Sequence, residues 1–248
     1  MKYAIICMSL IFSASNAWAQ MSAEKLVKAA FDYWRGQSSV SVVDMTIHRP
    51  SWQRTMTIKA WTKGESDSLF VITAPPKDSG NGTLKNSQGM WIYNPKVSRV
   101  IKLPPSMMSQ SWQGSDFSNN DLAKTDSLIN DYTHTIEKNT MNDGKKVYVI
   151  KSMPKPDAPV IWGMIKIEVR EDLVMLRETF FDEDLKPVKT MISSDIQTVE
   201  DRLFPMQWKM QKADKKDEYT LLVYKELTFK EKLSRSVFTL SHLKNLGR

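Results

Sequence analysis

The chain has 248 residues, a formal net charge of +7 from 35 basic and 28 acidic side chains, and one cysteine, Cys7. The positive excess is spread along the chain, and its densest run, Lys212 to Lys216, is broken by Ala213 and Asp214 and reads as a solvated hairpin turn. No basic stripe with interleaved aromatics speaks for nucleic acid, and a lone cysteine excludes an internal disulfide and a cysteine metal site.

At the N-terminus, Lys2, the apolar run Ala4 to Phe12 and the small-x-small triplet Ala17-Trp18-Ala19 follow one another in the order of a cleavable signal peptide. The run is too short to span a bilayer, which takes about 20 residues. Residues 1–19 are expected to be removed, with Cys7 among them, leaving residues 20–248 as one domain without cysteine. Such an exported chain suits the periplasm of a Gram-negative bacterium.

Residues 22–35 predict a helix. Ser22 can cap it, Leu26, Ala29, Ala30 and Tyr33 recur at helical spacing, and Gly36 ends it. The period then changes to two. Trp52, Met56, Ile58 and Ala60 share one face of a half-buried strand, while Thr55, Thr57 and Lys59 take the other. Similar segments are expected at about 40–48, 67–73, 83–87, 90–94, 97–103, 133–139, 145–152, 164–171, 174–181, 187–198, 202–211 and 218–229. Turn signals such as Asn94-Pro95, Asp143-Gly144 and Asp182 to Asp184 separate them. Only two further segments read as helical, a short one near Asn119 to Ala123 and one from about Ser236 to Leu246. The pattern predicts a mainly β (α+β) fold: one large curved antiparallel sheet, running as a meander, with few helices to cover its inner face. A sheet so thinly covered encloses a cavity or awaits a ligand.

The chain carries 15 Met and 8 Trp. Phe204, Met206, Trp208 and Met210 alternate with polar neighbours, as do Ile165, Ile167 and Val169. Methionine-rich surfaces repack around varied apolar partners, although core filling is the usual fate of such side chains. Catalytic signals are weak. His48, His134 and His242 stand in no metal-ligand spacing, and there is no Gly-x-Ser-x-Gly elbow and no phosphate loop.

Residues 89–122 differ from generic barrel. Met90-Trp91-Ile92-Tyr93-Asn94-Pro95 and Ser98-Arg99-Val100-Ile101 form a hairpin, and Pro104-Pro105 throws the chain out of the sheet. Ser118-x-x-Asp121 resembles a helix cap. Met107, Met108, Trp112 and Phe117 then lie on an excursion at the sheet's rim, suggesting a lid over a cavity. The run Met-Trp-Ile-Tyr-Asn-Pro, then Ser-Arg-Val-Ile, then Gly-Ser-Asp-Phe-Ser-x-x-Asp-Leu resembles the outer-membrane lipoprotein-sorting protein family, the LolA/LolB-like superfamily, in its longer branch. The resemblance extends over most of the chain after residue 19.

That resemblance implies an incomplete antiparallel β-barrel with a helical lid or plug, and a cavity that takes the acyl chains of a lipid or lipoprotein. It implies partners on two membranes: an inner-membrane exporter, of RND (MMPL-like) type in the longer branch, and an outer-membrane acceptor. No cofactor, metal or catalytic residue is expected, and a monomer is. Trp52, Met56, Ile58, Trp91, Tyr93, Met107, Met108, Phe117, Trp208 and Met210 are the expected cavity or lid residues, and Arg54 is the head-group candidate. Two other readings stand beside the carrier: a non-catalytic adaptor of an RND-type exporter, and a lipid-modifying enzyme on the same fold. A buried, clustered pair of ionisable groups in the cavity would favour the enzyme.

Overall fold

The structure is a computed structural model, and it describes residues 21–230 and 232–246. The expected signal peptide, residues 1–19, lies outside the described residues. The first helix, α1 (Ala23–Arg35), starts where the Ser22 side chain accepts the Lys25 amide and stops at Gly36, whose φ of 64° is the left-handed conformation glycine tolerates. Its buried stripe is Ala23, Leu26, Val27, Ala30 and Phe31.

Thirteen strands follow: β1 (Ser38–Arg49), β2 (Trp52–Lys63), β3 (Asp67–Ala74), β4 (Gly82–Asn86), β5 (Gly89–Asn94), β6 (Arg99–Lys102), β7 (Tyr132–Asn142), β8 (Lys145–Pro154), β9 (Met164–Arg170), β10 (Met175–Phe181), β11 (Pro187–Val199), β12 (Arg202–Lys212) and β13 (Tyr219–Phe229). Each lies at an expected segment. They form one sheet in the order β6-β5-β4-β3-β2-β1-β13-β12-β11-β10-β9-β8-β7, and every pairing is antiparallel. The expectation of one continuous meander is corrected here. Two meanders stand back to back, and the first and last strands pair at the centre, from Ser39 against Phe229 to His48 against Tyr219. Pro104 and Pro105 follow β6 and cannot donate to a ladder, so the chain leaves the sheet there and returns only at Tyr132. β6 and β7 are therefore the two free edges, and the barrel stays incomplete. At four residues β6 is a short edge, which limits unwanted pairing.

Two short helices, α2 (Asn119–Ala123) and α3 (Ser127–Asn130), sit in the connection between β6 and β7. The sequence reading foresaw α2 but not α3. The expected C-terminal helix is split. Arg235–Phe238 is a 3-10 turn, Thr239 is extended, and α4 runs Leu240–Leu246. The Thr239 hydroxyl accepts the His242 amide, an N-cap bond that starts the helix afresh. Among the described residues no helix is long and apolar enough to cross a membrane.

Both faces of the sheet are used. On the concave side, α1 packs with Ile150, Ile165, Ile167, Val169, Met175 and Trp208. On the opposite side of β3–β5, the C-terminal segment places Phe238 and Leu243 against Leu69, Leu84, Trp91 and Tyr93. Gly82 makes this seat possible: a Cβ there would stand 2.3 Å from the Leu243 side chain.

Candidate functional site

On the concave side the sheet and its covering segments surround a cavity of about 260 Å³. The floor is built by the strand alternation: Val43 of β1, Ile58 and Ala60 of β2, Phe70 of β3, Ile165 of β9, Phe180 of β10, Met191 of β11, Trp208 and Met210 of β12, and Leu222 of β13. The roof comes from Phe31 and Trp34 of α1, Trp112 to Leu122, Leu128 of α3, and Val160 to Trp162 of the β8–β9 connection. Ile161, at 47% exposed, is the most open apolar side chain of that lining. An apolar cavity of about 150 Å³ already holds a benzene-sized guest, so this one has room for a larger group.

The distinctive motif fastens the roof. Trp112 donates its indole N–H to Thr83 Oγ1 at 3.0 Å and meets the Phe70 ring edge-on at 5.7 Å. Ser115 Oγ donates to the Trp112 carbonyl at 2.7 Å. Asp116, 4% exposed, accepts two bonds from the Arg49 guanidinium at 3.1 Å each and one from the Thr220 hydroxyl at 2.7 Å. Ser118 and Asp121 form a capping box, the Ser118 amide donating to Asp121 Oδ2 and the Asp121 amide to Ser118 Oγ. Held between these ties, Phe117 and Leu122 join the cavity wall. Gly-Ser-Asp-Phe-Ser-x-x-Asp is thus a latch between the roof and the central strands β1 and β13.

Ionisable side chains enter this apolar space from distant parts of the chain. Arg35, at the end of α1, donates to the Gly64 and Asp67 carbonyls and to Ser68 Oγ, and burial brings its pKa down to about 10. Tyr224 lies in the same wall, and burial pushes its phenol up to about 12. Asp121, in the lining, pairs with Lys189, which stands outside the lining 5.0 Å from the centre of the Trp162 ring and 5.4 Å from that of Phe180. Glu178, 9% exposed, makes no hydrogen bond or ion pair with the described residues. Burial, reinforced by Asp121 and opposed by Lys189, raises its pKa to about 7. The indole N–H of Trp34 is buried without an acceptor among the described residues. None of Arg35, Trp34, Glu178, Lys189 or Tyr224 was a sequence candidate. A lone charged residue on an otherwise apolar strand face, such as Glu178 or Lys189, was the one signal that could have found them.

The expected site residues fall in several places. Ile58, Phe117, Trp208 and Met210 line the cavity. Met56 is fully buried beside them, packed with Met45, Ile47, Ile72 and Trp112. Met107 and Met108 are half-buried against Met90, Leu103 and Ala123, under the roof connection but outside the cavity lining. Trp91 and Tyr93 face the other side of the sheet, beneath the C-terminal segment, because alternation turns Met90 and Ile92 toward the roof instead. Trp52 is 49% exposed, with the Arg49 guanidinium 5.9 Å from its ring centre. Arg54 pairs with Asp78 at 2.9 Å, away from the cavity lining. His134 is buried and hydrogen-bonded to Ser152 at 2.8 Å. Among the described residues, no group of three His, Cys, Asp or Glu side chains is placed to hold a metal ion.

A protein-family model described only as "-like: Uncharacterized protein" matches residues 64–245. No curated protein matches the chain. Solved structures share its fold. A domain assigned as an outer membrane lipoprotein-sorting protein from Vibrio parahaemolyticus is 18% identical, with a TM-score of 0.78, covering 90% of this chain and 98% of that one. A LolA superfamily protein from Nitrosomonas europaea is 21% identical, with a TM-score of 0.74 and coverage of 90% and 99%. A DUF1329 family protein from Desulfovibrio piger is 23% identical, with a TM-score of 0.77 and coverage of 89% and 97%. The matched model spans most of the chain, so the chain belongs to the family that it describes, and the solved structures show that it has their fold over nearly its whole length.

Proposed function

We propose that the protein is a non-catalytic carrier that works in the periplasm, holds the acyl chains of a lipid or lipoprotein in its cavity, and passes them between membrane partners. The observation that carries this reading is the apolar cavity on the concave side of the open sheet, roofed by α1 and the latched 112–122 segment. Burying acyl chain stabilises the complex by about 0.8 kcal/mol per methylene. A segment of eight to ten methylenes thus gains roughly 6–8 kcal/mol before ordering costs, which keeps a lipid out of water. On this reading residues 1–19 direct export, residues 20–248 are one half-barrel domain, an inner-membrane exporter of RND type supplies the cargo, and an outer-membrane acceptor receives it. The residues proposed to touch cargo are Ile58, Phe117, Trp208 and Met210, with Phe31, Trp34 and Leu222 added by the structure.

The test is native mass spectrometry and lipid extraction of the protein purified from its own cell envelope, with titration by a fluorescent fatty acid. Co-purifying lipid and saturable binding are expected. Ser41→Phe, which puts a ring into the space that Ser41 borders, should abolish binding in a folded protein. Absence of both lipid and binding, or binding undiminished by Ser41→Phe, would overturn the assignment. A second reading, lipid-modifying chemistry, is favoured by one observation: two carboxylates, Asp121 and Glu178, line the cavity, with Lys189 paired to Asp121. Conversion of a bound lipid, lost in Glu178→Gln with binding retained, would establish it in place of simple carriage.

A further inference from the structure

Asp121 of α2 and Glu178 of β10 are the two carboxylates of the cavity lining, and Lys189 of β11, outside the lining, pairs with Asp121. Two of these three are already engaged. Asp121 accepts the Ser118 amide at 2.7 Å, the Ser118 hydroxyl at 2.9 Å and the Lys189 ammonium. Lys189 answers Asp121 and packs over Trp162 and Phe180. Glu178 alone is left. It is more than nine-tenths buried, borders the cavity, and has no donor among the described residues. Its cross-strand neighbours, Ile167 of β9 and Met191 of β11, offer it nothing polar. A carboxylate at an apolar wall is costly to desolvate, so a donor entering the cavity is favoured there.

We infer that Glu178 is the head-group acceptor of the cavity, and that the cargo is an amphiphile carrying a protonated amine. This rests on the carrier reading and narrows its cargo. The sign follows from the local charges: two carboxylates against one ammonium favour a cation over an anion at this end. Trp162 and Phe180 nearby already hold the Lys189 ammonium against their rings, so a cation is accommodated at this end of the cavity. An ammonium bound here would answer Glu178 with a charge-assisted hydrogen bond in a site of low dielectric. Arg35 and Lys124, the cations of the lining, are occupied, Arg35 by the Gly64 and Asp67 carbonyls and Ser68 and Lys124 by the Pro159 carbonyl, so they do not compete for Glu178.

The experiment compares dodecylamine, dodecanol and dodecanoic acid as ligands of the intact protein and of Glu178→Gln at pH 8, by calorimetry or displacement of a fluorescent probe. The amine should bind about tenfold or more tightly than the alcohol, as one charge-assisted hydrogen bond predicts. Glu178→Gln should weaken the amine about tenfold and leave the alcohol unchanged. Equal affinity for amine and alcohol, preference for the acid, or an amine preference that survives Glu178→Gln would overturn the inference while leaving the carrier reading intact. Failure of all three ligands to bind would remove both. Thermal unfolding of Glu178→Gln serves as the control for folding.

Discussion

Replacing Glu178 by Gln should stabilise the protein at alkaline pH and have little effect at acid pH. The carboxyl's pKa is raised from an ordinary 4.5 to about 7, first by burial and then by Asp121, with Lys189 opposing. A raised carboxyl pKa means that the folded state holds its proton more tightly than the unfolded chain. Between about pH 4.5 and 7 the native protein therefore binds more protons, and stability falls as pH rises through that window. Below it the penalty is absent; above it the penalty is complete. A difference of this size corresponds to about 3 kcal/mol at pH 8. Glutamine keeps the shape and cannot ionise. Urea denaturation of both proteins at pH 4 and pH 8 reads the effect. The variant should gain about 3 kcal/mol relative to wild type on going from the acid to the alkaline condition, or roughly 6–12 °C in melting temperature for a chain of this size. Other titrating groups are common to both proteins and cancel in the comparison. An equal difference between variant and wild type at the two pH values would refute the reasoning, because it would mean that Glu178 ionises as freely in the fold as outside it.

The roof latch and the two-faced sheet give further outcomes. Asp116→Ala should cost about 3–5 kcal/mol by urea denaturation, since it strands a half-buried Arg49; Glu218, 3.4 Å from Arg49, holds the loss toward the lower figure. A loss below about 1 kcal/mol would show that the motif is not a latch. Trp91→Ala should cost about 3–5 kcal/mol, because it empties the cluster beneath the C-terminal segment. The folded variant should bind a fluorescent fatty acid as the wild type does, and weakened binding would contradict the placement of Trp91 on the face away from the cavity.

The secondary elements were legible because their signals are local. Period-two alternation in Trp52 to Ala60 and in Phe204 to Met210 marks strands whatever they pair with, and Ser22, Gly36 and Ser118 carry caps that act within one helical turn. The hairpin at Asn94-Pro95 formed as expected, with the Asn94 side chain accepting the Lys96 amide. The latch motif was visible as a sequence, but its work was not. Asp116 finds Thr220 across 104 residues, and no local rule names that partner.

Alternation says that a strand has two unlike faces; it does not say which is inside. In β2 and β12 one face is plainly polar, and Ile58, Trp208 and Met210 lie on the other, toward the cavity. β5 is apolar on both sides, Met90 and Ile92 against Trp91 and Tyr93, because both of its faces are covered. There only the packed structure assigns Trp91 and Tyr93 to the C-terminal segment. The same holds for the charges in the cavity. Lys189 is marked only as a lone charge on its strand face, while Asp121, 68 residues away, and Arg35 on the first helix read as ordinary surface residues, and nothing local brings them together. The sequence by itself determined the strands, the caps and the excursion after Pro104. Tertiary structure decided that β1 meets β13, which face became concave, and that one carboxylate at the cavity has no donor among the described residues. Those outcomes depend on pairings and burial between distant segments, for which a chain carries no local mark.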